Sequence, residues 1–165
     1  MSNFETKRRK RIEAQGFLGL SDKEIDDLNY WFRFAPAVCL IWTAIGIGFT
    51  SKLVVCSLVP FAIFGAIMRI HPFDLLYEHV LRFHHPIRPS MPTYGLPRRF
   101  ACLMAASILT FAGVAFDFRL WWLGYLMGIV MIVAGTIQVA TGFCGLSQIY
   151  GRLFGEPACH LEPRL

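Results

Sequence analysis

Four long apolar runs constrain what this chain can fold into. Only Arg69 is charged at neutral pH within them, and they contain no histidine. About 18 such residues suffice to cross the roughly 30 Å hydrocarbon core of a bilayer. Four helices without a polar face exceed what a soluble domain of 165 residues can bury. The sequence therefore predicts an all-α membrane protein with transmembrane helices at Phe34–Thr50, Leu53–Ile70, Phe100–Phe116 and Leu120–Phe143.

Two short polar turns join these runs into two hairpins. Thr50-Ser51-Lys52 separates the first pair, and Asp117-Phe118-Arg119 separates the second. We therefore expect three regions. Residues 1–33 form a basic tail with an interfacial helix, residues 34–143 form a four-span bundle with a central loop at 71–99, and residues 144–165 form a tail.

The distribution of Lys and Arg predicts the orientation. Only Lys52 and Arg119 lie in the short turns, and the other basic residues lie in the tails and around the central loop. Because Lys and Arg mark the cytoplasmic side, both termini and the central loop are predicted to be cytoplasmic, in a multi-pass protein of a bacterial inner membrane. The same bias accounts for the net charge of +5, so we expect no nucleic-acid partner.

The N-terminal region contains a helix start. Ser21 and Glu24 have the spacing of a capping box, and apolar residues then recur at helical intervals from Ile25. This pattern predicts an amphipathic helix at the membrane interface, and the basic run before it is expected to contact anionic lipid headgroups. The predicted interfacial residues are Trp31, Trp121, Trp122, Lys7, Arg8, Arg9, Lys10 and Arg11.

The central loop is predicted to start with a helix over Phe73–Phe83. Its apolar face would carry Phe73, Leu76, Tyr77, Val80 and Leu81, and its polar face Asp74, Glu78 and Arg82. Four prolines then exclude a regular helix over His85–Arg98. We expect that segment to form a strap over the cytoplasmic end of the bundle.

Small residues in the runs indicate close helix packing. Gly124 and Gly128 form a GxxxG pattern in the fourth run. The other candidates are Gly46, Gly48, Ala101 and Ala105. Such surfaces serve either packing within the bundle or docking against other integral membrane subunits, and the sequence leaves both uses open.

Cysteines supply the candidate reactive groups. Cys39, Cys102, Cys144 and Cys159 are predicted near the cytoplasmic surface, and Cys56 toward the outer one. Cys144 lies between glycines just after the fourth run, where a thiol is accessible and close to backbone amides. It is the candidate carrier of a persulfide or mixed disulfide, with Cys159 or Cys102 as the resolving thiol. Alternatively, these cysteines are small apolar packing residues.

Metal and cofactor sites are less clearly encoded. His71, Asp74, Glu78 and His79 supply nitrogen and oxygen ligands for a divalent metal, but no histidine pair has the spacing of a helical zinc motif. Hydrogen bonding of these histidines to headgroups or loop carbonyls is the alternative. No cofactor is clearly encoded. The runs lack ionisable groups in their interiors, which argues against a pore or proton relay.

Three segments resemble a known family of bacterial integral membrane proteins, the domain of unknown function DUF4395. They are Arg69–Tyr77, Pro97–Cys102 and Cys144–Tyr150. The resemblance implies a small multi-span helical protein and brings no established activity. Similar chains have a C-x-x-C near the last span, and here Ser147 stands in place of the second cysteine.

Two functional hypotheses follow. The first is a non-catalytic accessory or structural subunit of a larger inner-membrane complex, which packs through its transmembrane helices. The second is a thiol- or sulfur-handling membrane protein that uses Cys144. The first rests on the short outer turns and the small-residue surfaces, and the second on the setting of Cys144.

Overall fold

The computed structural model describes residues 3–81 and 90–155, and every regular element in these ranges is helical. The α-helices are α1 (Asn3–Glu13), α2 (Asp22–Leu28), α3 (Phe34–Gly48), α4 (Lys52–Ser57), α5 (Val59–Ile67), α6 (Pro72–Leu76), α7 (Leu96–Asp117), α8 (Trp121–Thr141) and α9 (Gly145–Phe154). A 3-10 turn at Trp31–Arg33 precedes α3, and a π-helical turn at Tyr77–Leu81 follows α6. The prediction of an all-α chain is confirmed.

Three helical segments in the described ranges are long and apolar enough to cross a membrane. They are Trp31–Gly48, Leu96–Asp117 and Trp121–Thr141. A fourth segment qualifies only as a bent pair, Lys52–Ile67 with Pro72–Val80, whose two parts meet at 86°. Three of the four predicted runs are therefore long helices, and the second is not.

The second run is broken at Leu58, one residue after α4. The Leu58 N–H donates to the Val55 carbonyl, which leaves the Val54 carbonyl without its helical partner. Trp42 Nε1 donates to that carbonyl (3.1 Å), as does the Ser57 hydroxyl (2.8 Å). The single helix expected over Leu53–Ile70 is thus two helices that end at Ile67, because local side chains satisfy the backbone groups that the break releases.

The long helices and the α4–α5 unit pack around one core. Helix α3 contacts α4 and α8, and α7 contacts α4, α5 and α8. The core contains Ala35, Ile47, Val55, Leu58, Phe73, Leu109, Ala112 and Phe116. Each neighbour in the ring therefore buries part of its apolar surface against the next, while the outward surfaces remain apolar and exposed.

Both short turns have the same geometry. The Ser51 N–H donates to the Gly46 carbonyl (2.9 Å), and the Leu120 N–H donates to the Ala115 carbonyl (2.8 Å). In each turn the residue before the donor is not glycine and yet has a positive φ, 52° and 58°. This is the 6→1 hydrogen bond of a Schellman motif, which ends a helix with one residue in the left-handed conformation. The two hairpins thus turn in the same way.

Two arginines repeat a second feature at the other end of the bundle. Arg33 Nη1 donates to the carbonyls of residues 139–140 of α8 (3.0 Å each). Arg99 donates to the carbonyls of residues 66–67 at the end of α5 (2.8 and 2.9 Å). Arg33 and Arg99 therefore have matching roles, since each donates to the last carbonyls of another helix. This end is called the basic end below, and the opposite end is called the short-turn end.

The N-terminal region packs against the central connection in a second core. The predicted capping box is present, since the Ser21 hydroxyl accepts the Glu24 N–H (3.3 Å) and Glu24 accepts the Ser21 N–H (2.9 Å). The buried residues of this core are Ile12, Phe17, Leu20, Ile25, Leu28, Phe32, Tyr77, Met91 and Tyr94. The apolar face of α2 is therefore covered by protein at the basic end, and the sequence did not indicate the preceding α1.

The central connection differs from its prediction in two ways. Helix α6 ends at Leu76, and Asp74, expected on the polar face, is buried while Leu76 and Val80 are exposed. The predicted strap lies partly in residues 82–89, outside the described ranges. Its described part is not helical before α7 begins at Leu96. We expected a helix only from Phe100. It begins earlier because a proline, here Pro97, fits the first turn of a helix.

Candidate functional site

A buried ion pair lies at the basic end, between α6 and α7. Arg98 Nη2 is 3.8 Å from Asp74 Oδ2, and the two side chains are 5% and 1% exposed. Within the described ranges, neither carboxylate oxygen of Asp74 nor Arg98 Nη1 has a hydrogen-bond partner. Burying each ion costs several kcal/mol, which attraction at this distance offsets only in part. Since buried polar groups are normally hydrogen-bonded, this pair marks the candidate site.

Aromatic rings hold the Arg98 guanidinium on two sides. Its central carbon lies 4.9 Å from the centroid of the Phe17 ring and 5.1 Å from that of Tyr94. Phe17 is positioned by a close approach of two glycines, in which the Gly95 N–H donates to the Gly16 carbonyl (2.9 Å). A Cβ on Gly16 would lie 2.7 Å from the Gly95 nitrogen, and its φ is +90°. These rings thus contact a guanidinium whose Nη1 has no hydrogen-bond partner among the described residues.

Three side chains meet where Gly65 has no side chain of its own. A Cβ on Gly65 would lie 2.7 Å from His71 Cδ2, 3.2 Å from Cys102 Sγ and 3.3 Å from Tyr94 Oη. The Tyr94 hydroxyl donates to the Gly65 carbonyl (2.9 Å). Glycine at this position of α5 is therefore what lets an imidazole, a thiol and a phenol share one small space beside the ion pair.

Burial changes the proton affinities of this cluster. His71 is buried, and its Nδ1 accepts the Phe73 N–H (3.4 Å) at the start of α6. Burial, reinforced by the Arg98 charge, lowers the pKa of His71 to about 4, so its imidazole is neutral at pH 7. Burial raises the pKa of Asp74, and Arg98 opposes that rise. The negative charge of Asp74 therefore depends on Arg98.

Three thiols lie at the same end of the bundle. Cys102 lies one turn after Arg98 on α7, and its sulfur would be 3.2 Å from a Cβ on Gly65, while Cys39 lies in the first half of α3. Cys144 is buried just before the first residue of α9. The predicted convergence of these three thiols stays a prediction, and Cys159 lies outside the described residues.

The remaining described thiol, Cys56, lies elsewhere. It is exposed on α4, and a Cβ on Gly113 of α7 would lie 2.2 Å from its sulfur. Cys56 therefore has a packing environment of its own, away from the ion pair, and provides a matched comparison for the thiols at the basic end.

Ser147 attaches α9 to this cluster. It is 1% exposed, and its hydroxyl donates to the Pro97 carbonyl in the first turn of α7 (3.3 Å). The rings of Tyr150 and Phe154 of α9 pack at an angle against Phe100, with ring centroids 5.5 and 6.4 Å away. The position that carries a second cysteine in a C-x-x-C therefore faces the start of α7.

The segments that build the site are those on which the family resemblance rests. A family model with the description Domain of unknown function (DUF4395) matches residues 29–154. The chain belongs to the DUF4395 family. Comparison with curated proteins and with solved structures gave no match. The match to DUF4395 includes the whole cluster apart from Phe17 and the glycine before it.

The predicted metal ligands of this DUF4395 chain are separated. His71 and Asp74 belong to the buried cluster, Glu78 accepts the Met91 N–H, and His79 is exposed with Nδ1 2.9 Å from the Leu75 carbonyl. Among the described residues, no group of three His, Cys, Asp or Glu side chains is arranged to hold a metal ion. The four residues thus serve different local contacts.

The arginines of the basic run bind partners within the chain. Arg8 pairs with Asp26, Arg9 with Asp22 (2.7 Å), and Arg11 donates to the Thr141 carbonyl. Lys7 and Lys10 form no ion pair with any described residue. Headgroup contact by the run stays a prediction.

Three of the four predicted packing glycines lie against side chains of other helices in the bundle. A Cβ on Gly124 would lie 2.3 Å from the Phe116 ring, and one on Gly128 would lie 2.2 Å from Ile47 Cδ1. A Cβ on Gly46 would lie 2.8 Å from Val55 Cγ2, whereas Gly48 has open space around it. Ala101 and Ala105 are partly buried on α7. The GxxxG pattern therefore serves the close approach of α8 to α7 and α3.

The interfacial tryptophans lie at both ends of the bundle. Trp31 packs against Tyr77 at the basic end, with ring centroids 4.5 Å apart. Trp121 and Trp122 are exposed at the short-turn end. Their position at a membrane interface stays a prediction. Sequence reasoning missed Tyr94, Gly65 and the burial of Arg98; for Arg98, the Pro97-Arg98-Arg99 motif was the available signal.

Proposed function

We propose that this DUF4395 chain is an integral membrane protein with four spans in two hairpins, the second span being Lys52–Ile67. Its outward side chains support this proposal, because large apolar residues are exposed along each helix of the bundle. At 1.5 Å per residue the second span is short for a hydrocarbon core of roughly 30 Å. The sharp bend into α6 fits a span that ends early and continues along the interface.

The orientation follows from the charges at the two ends. The basic end carries both terminal regions and the central connection, and at the short-turn end Lys52 is paired with Asp117. The proposal is therefore a multi-pass protein of a bacterial inner membrane with both termini in the cytoplasm. A reporter active only in the cytoplasm should work when fused to the C-terminus and fail when inserted after Lys52. The opposite pattern would overturn this orientation.

Within that membrane frame, the site best supports a sulfur-handling function. What supports it is the position of Cys102 beside the buried Asp74–Arg98 pair, with Cys39 and Cys144 toward the same end of the bundle. Cys144 immediately precedes the first turn of α9 and is buried. Because the thiols are largely covered by protein, the proposed substrate is a small persulfide or disulfide.

The chemistry requires no further oxidant. The Cys144 thiolate attacks the outer sulfur of a small persulfide, forms the Cys144 persulfide and releases the substrate as its thiol. With a small disulfide, Cys144 forms a mixed disulfide and releases one thiol. Cys102 then attacks the Cys144 sulfur, so the second thiol leaves and a Cys102–Cys144 disulfide remains. The substrate is reduced by two electrons and the protein is oxidised by two.

Intact-mass measurement of the purified protein tests this function. After treatment with a small persulfide, the wild type should gain one sulfur atom on Cys144, and Cys144→Ser should gain none. Cys56→Ser is the matched control, since Cys56 lies apart from the cluster, and it should behave as the wild type. Equal sulfur uptake by the Cys144→Ser and wild-type proteins would contradict the proposal.

A structural role as accessory subunit of a larger inner-membrane complex is the second proposal. Helix α8 favours it, because only 11% of the residues in its most apolar stretch are buried, against 39% in α7. Gly124 and Gly128 already pack against other helices of the same chain. The partner would therefore contact the outward face of α8 at Leu126, Val130 and Val133. Gentle extraction followed by native gel separation should then show a large assembly, which Val133→Trp reduces. Migration as a single chain would contradict this role.

A further inference from the structure

The last carbonyls of α8 are bound by the N-terminal region. Arg33 donates to residues 139–140, Arg11 donates to Thr141 (2.7 Å), and Gln15 donates to Gly142 (2.8 Å). These carbonyls would otherwise lack partners inside the helix. The end of α8 is thus capped by two guanidinium groups and one amide.

The charge of this cap exceeds what the helix end needs. The carbonyl end of a helix carries about −0.5 of an elementary charge, whereas Arg11 and Arg33 together bring two positive charges. No carboxylate of the described ranges pairs with either arginine, although Arg8 and Arg9 in the same region pair with Asp26 and Asp22. About 1.5 positive charges therefore remain at this corner, together with unused N–H donors.

An open apolar groove starts at the same corner. It has a volume of about 410 Å³ and runs between the start of α3 and the end of α8. Its walls are Tyr30, Trp31, Phe34, Ala37 and Val139, and Arg33 lines it as well. Tyr30 is 80% exposed on its rim. An apolar channel with a guanidinium group beside it matches a molecule that has an anionic head and an apolar tail.

We propose that this groove binds one acyl chain of an anionic phospholipid, whose phosphate is held by Arg33 and Arg11. Guanidinium groups bind phosphate oxygens through paired N–H donors, and Trp and Tyr prefer the depth of lipid headgroups. This inference rests on the proposed membrane embedding and adds a defined lipid site to it. Residues Lys7 and Lys10 lie outside the groove and are not needed for it.

Native mass spectrometry of the delipidated protein in detergent tests the site. We expect phosphatidylglycerol to bind about 30-fold more tightly than phosphatidylcholine with the same acyl chains. Each of the two guanidinium groups contributes a factor of about five to this preference. Arg11→Gln should lower that preference to about fivefold. Arg119→Gln makes the same change in charge at the short-turn end, and it should leave the preference unchanged.

A second pair of variants tests the groove. Ala37→Trp fills it without changing the charge and should abolish the tight site for both lipids. Ile41→Trp adds the same bulk one turn further along α3 on an exposed position, and it should bind lipid as the wild type does. Unchanged binding by Ala37→Trp would overturn the proposal. So would occupation by inorganic phosphate alone with the same affinity, or by a second copy of the chain.

The failure of the lipid site is distinguishable from failure of the membrane proposal. A chain that alkaline carbonate releases from membranes is not embedded, and this result would overturn the proposed membrane architecture. A chain that stays in the membrane pellet but binds both lipids equally would overturn the lipid site alone.

Discussion

Asp74 and Arg98 face each other across 3.8 Å in a place that water hardly reaches. Phe17 and Tyr94 cover the guanidinium, and no described residue donates to the carboxylate. A buried pair of this kind adds little net stability, yet losing one partner leaves an isolated charge. A substitution that removes either charge of this pair should therefore lower the stability of the fold strongly.

Removing the carboxylate charge should destabilise the fold strongly. We expect Asp74→Asn to lower the free energy of unfolding by about 3–5 kcal/mol, because Arg98 then stays buried without a counter-charge. The double variant Asp74→Leu with Arg98→Met should recover much of that loss. Unfolding by a denaturing detergent, followed by circular dichroism, measures both. A double variant no more stable than Asp74→Asn would mean that the charges themselves are required.

Acid should destabilise the protein through His71. Its pKa is about 4 in the folded chain against an ordinary value of 6.5, so the unfolded chain takes up the proton first as the pH falls. Stability is therefore lost between pH 6.5 and pH 4, by about 2 kcal/mol from pH 7 to pH 5. Asn keeps an acceptor for the Phe73 N–H, so His71→Asn should flatten the dependence of the melting temperature on pH. His79→Asn, at an exposed position, should leave it unchanged, and equal slopes in all three proteins would refute the assignment.

We expect the GxxxG pattern of α8 to be required for the stability of the isolated chain. Gly128→Leu forces Ile47 to move, and overpacking of this kind costs about 1–3 kcal/mol. Adding Ile47→Ala should restore part of that loss, because it frees the volume that the leucine needs. Gly48→Leu, which meets open space, is the control. If Gly128→Leu left the isolated chain fully stable and lost only a partner, the glycine would belong to an external interface.

Restoring the second cysteine should create a redox-active pair. Cys144 immediately precedes α9 and residue 147 is in its first turn, a spacing at which two cysteines form a disulfide. We expect Ser147→Cys to lose two reactive thiols under mild oxidation and to regain them on reduction, as counted by maleimide gel shift. The change should persist in Cys56→Ser and vanish in Cys144→Ser. Loss of thiols without Cys144 would indicate a different pairing.

Features encoded by neighbouring residues were predictable. The apolar runs, the two hairpin turns and the capping box at Ser21 depend on local composition and spacing, and the structure contains long helices, turns and the box where expected, except in the second run. That exception depends on Trp42, which comes from the preceding helix to satisfy the carbonyl at the break. A sequence pattern does not contain that contact.

The candidate site was only partly predictable. Cys102 and Cys144 were identified because their depth in the runs is a local property. Asp74 was assigned to a polar helix face, and Arg98 was counted among the basic residues that set the orientation. A charged side chain normally faces water, and nothing local indicates that two distant charges will be buried together. Helix α9 was missed although Leu146, Ile149 and Tyr150 have helical spacing, since the tail was interpreted through Cys144 alone.

The two capping arginines impose an order on assembly. Arg33 belongs to the first hairpin and binds the last helix of the second, while Arg99 belongs to the second and binds the last helix of the first. During synthesis, therefore, α5 has no cap until α7 has formed, and Arg33 has no carbonyls to bind until α8 is complete. A chain truncated after its first hairpin would keep these groups unpaired. Two hairpins made as separate polypeptides would recognise each other through the same two side chains.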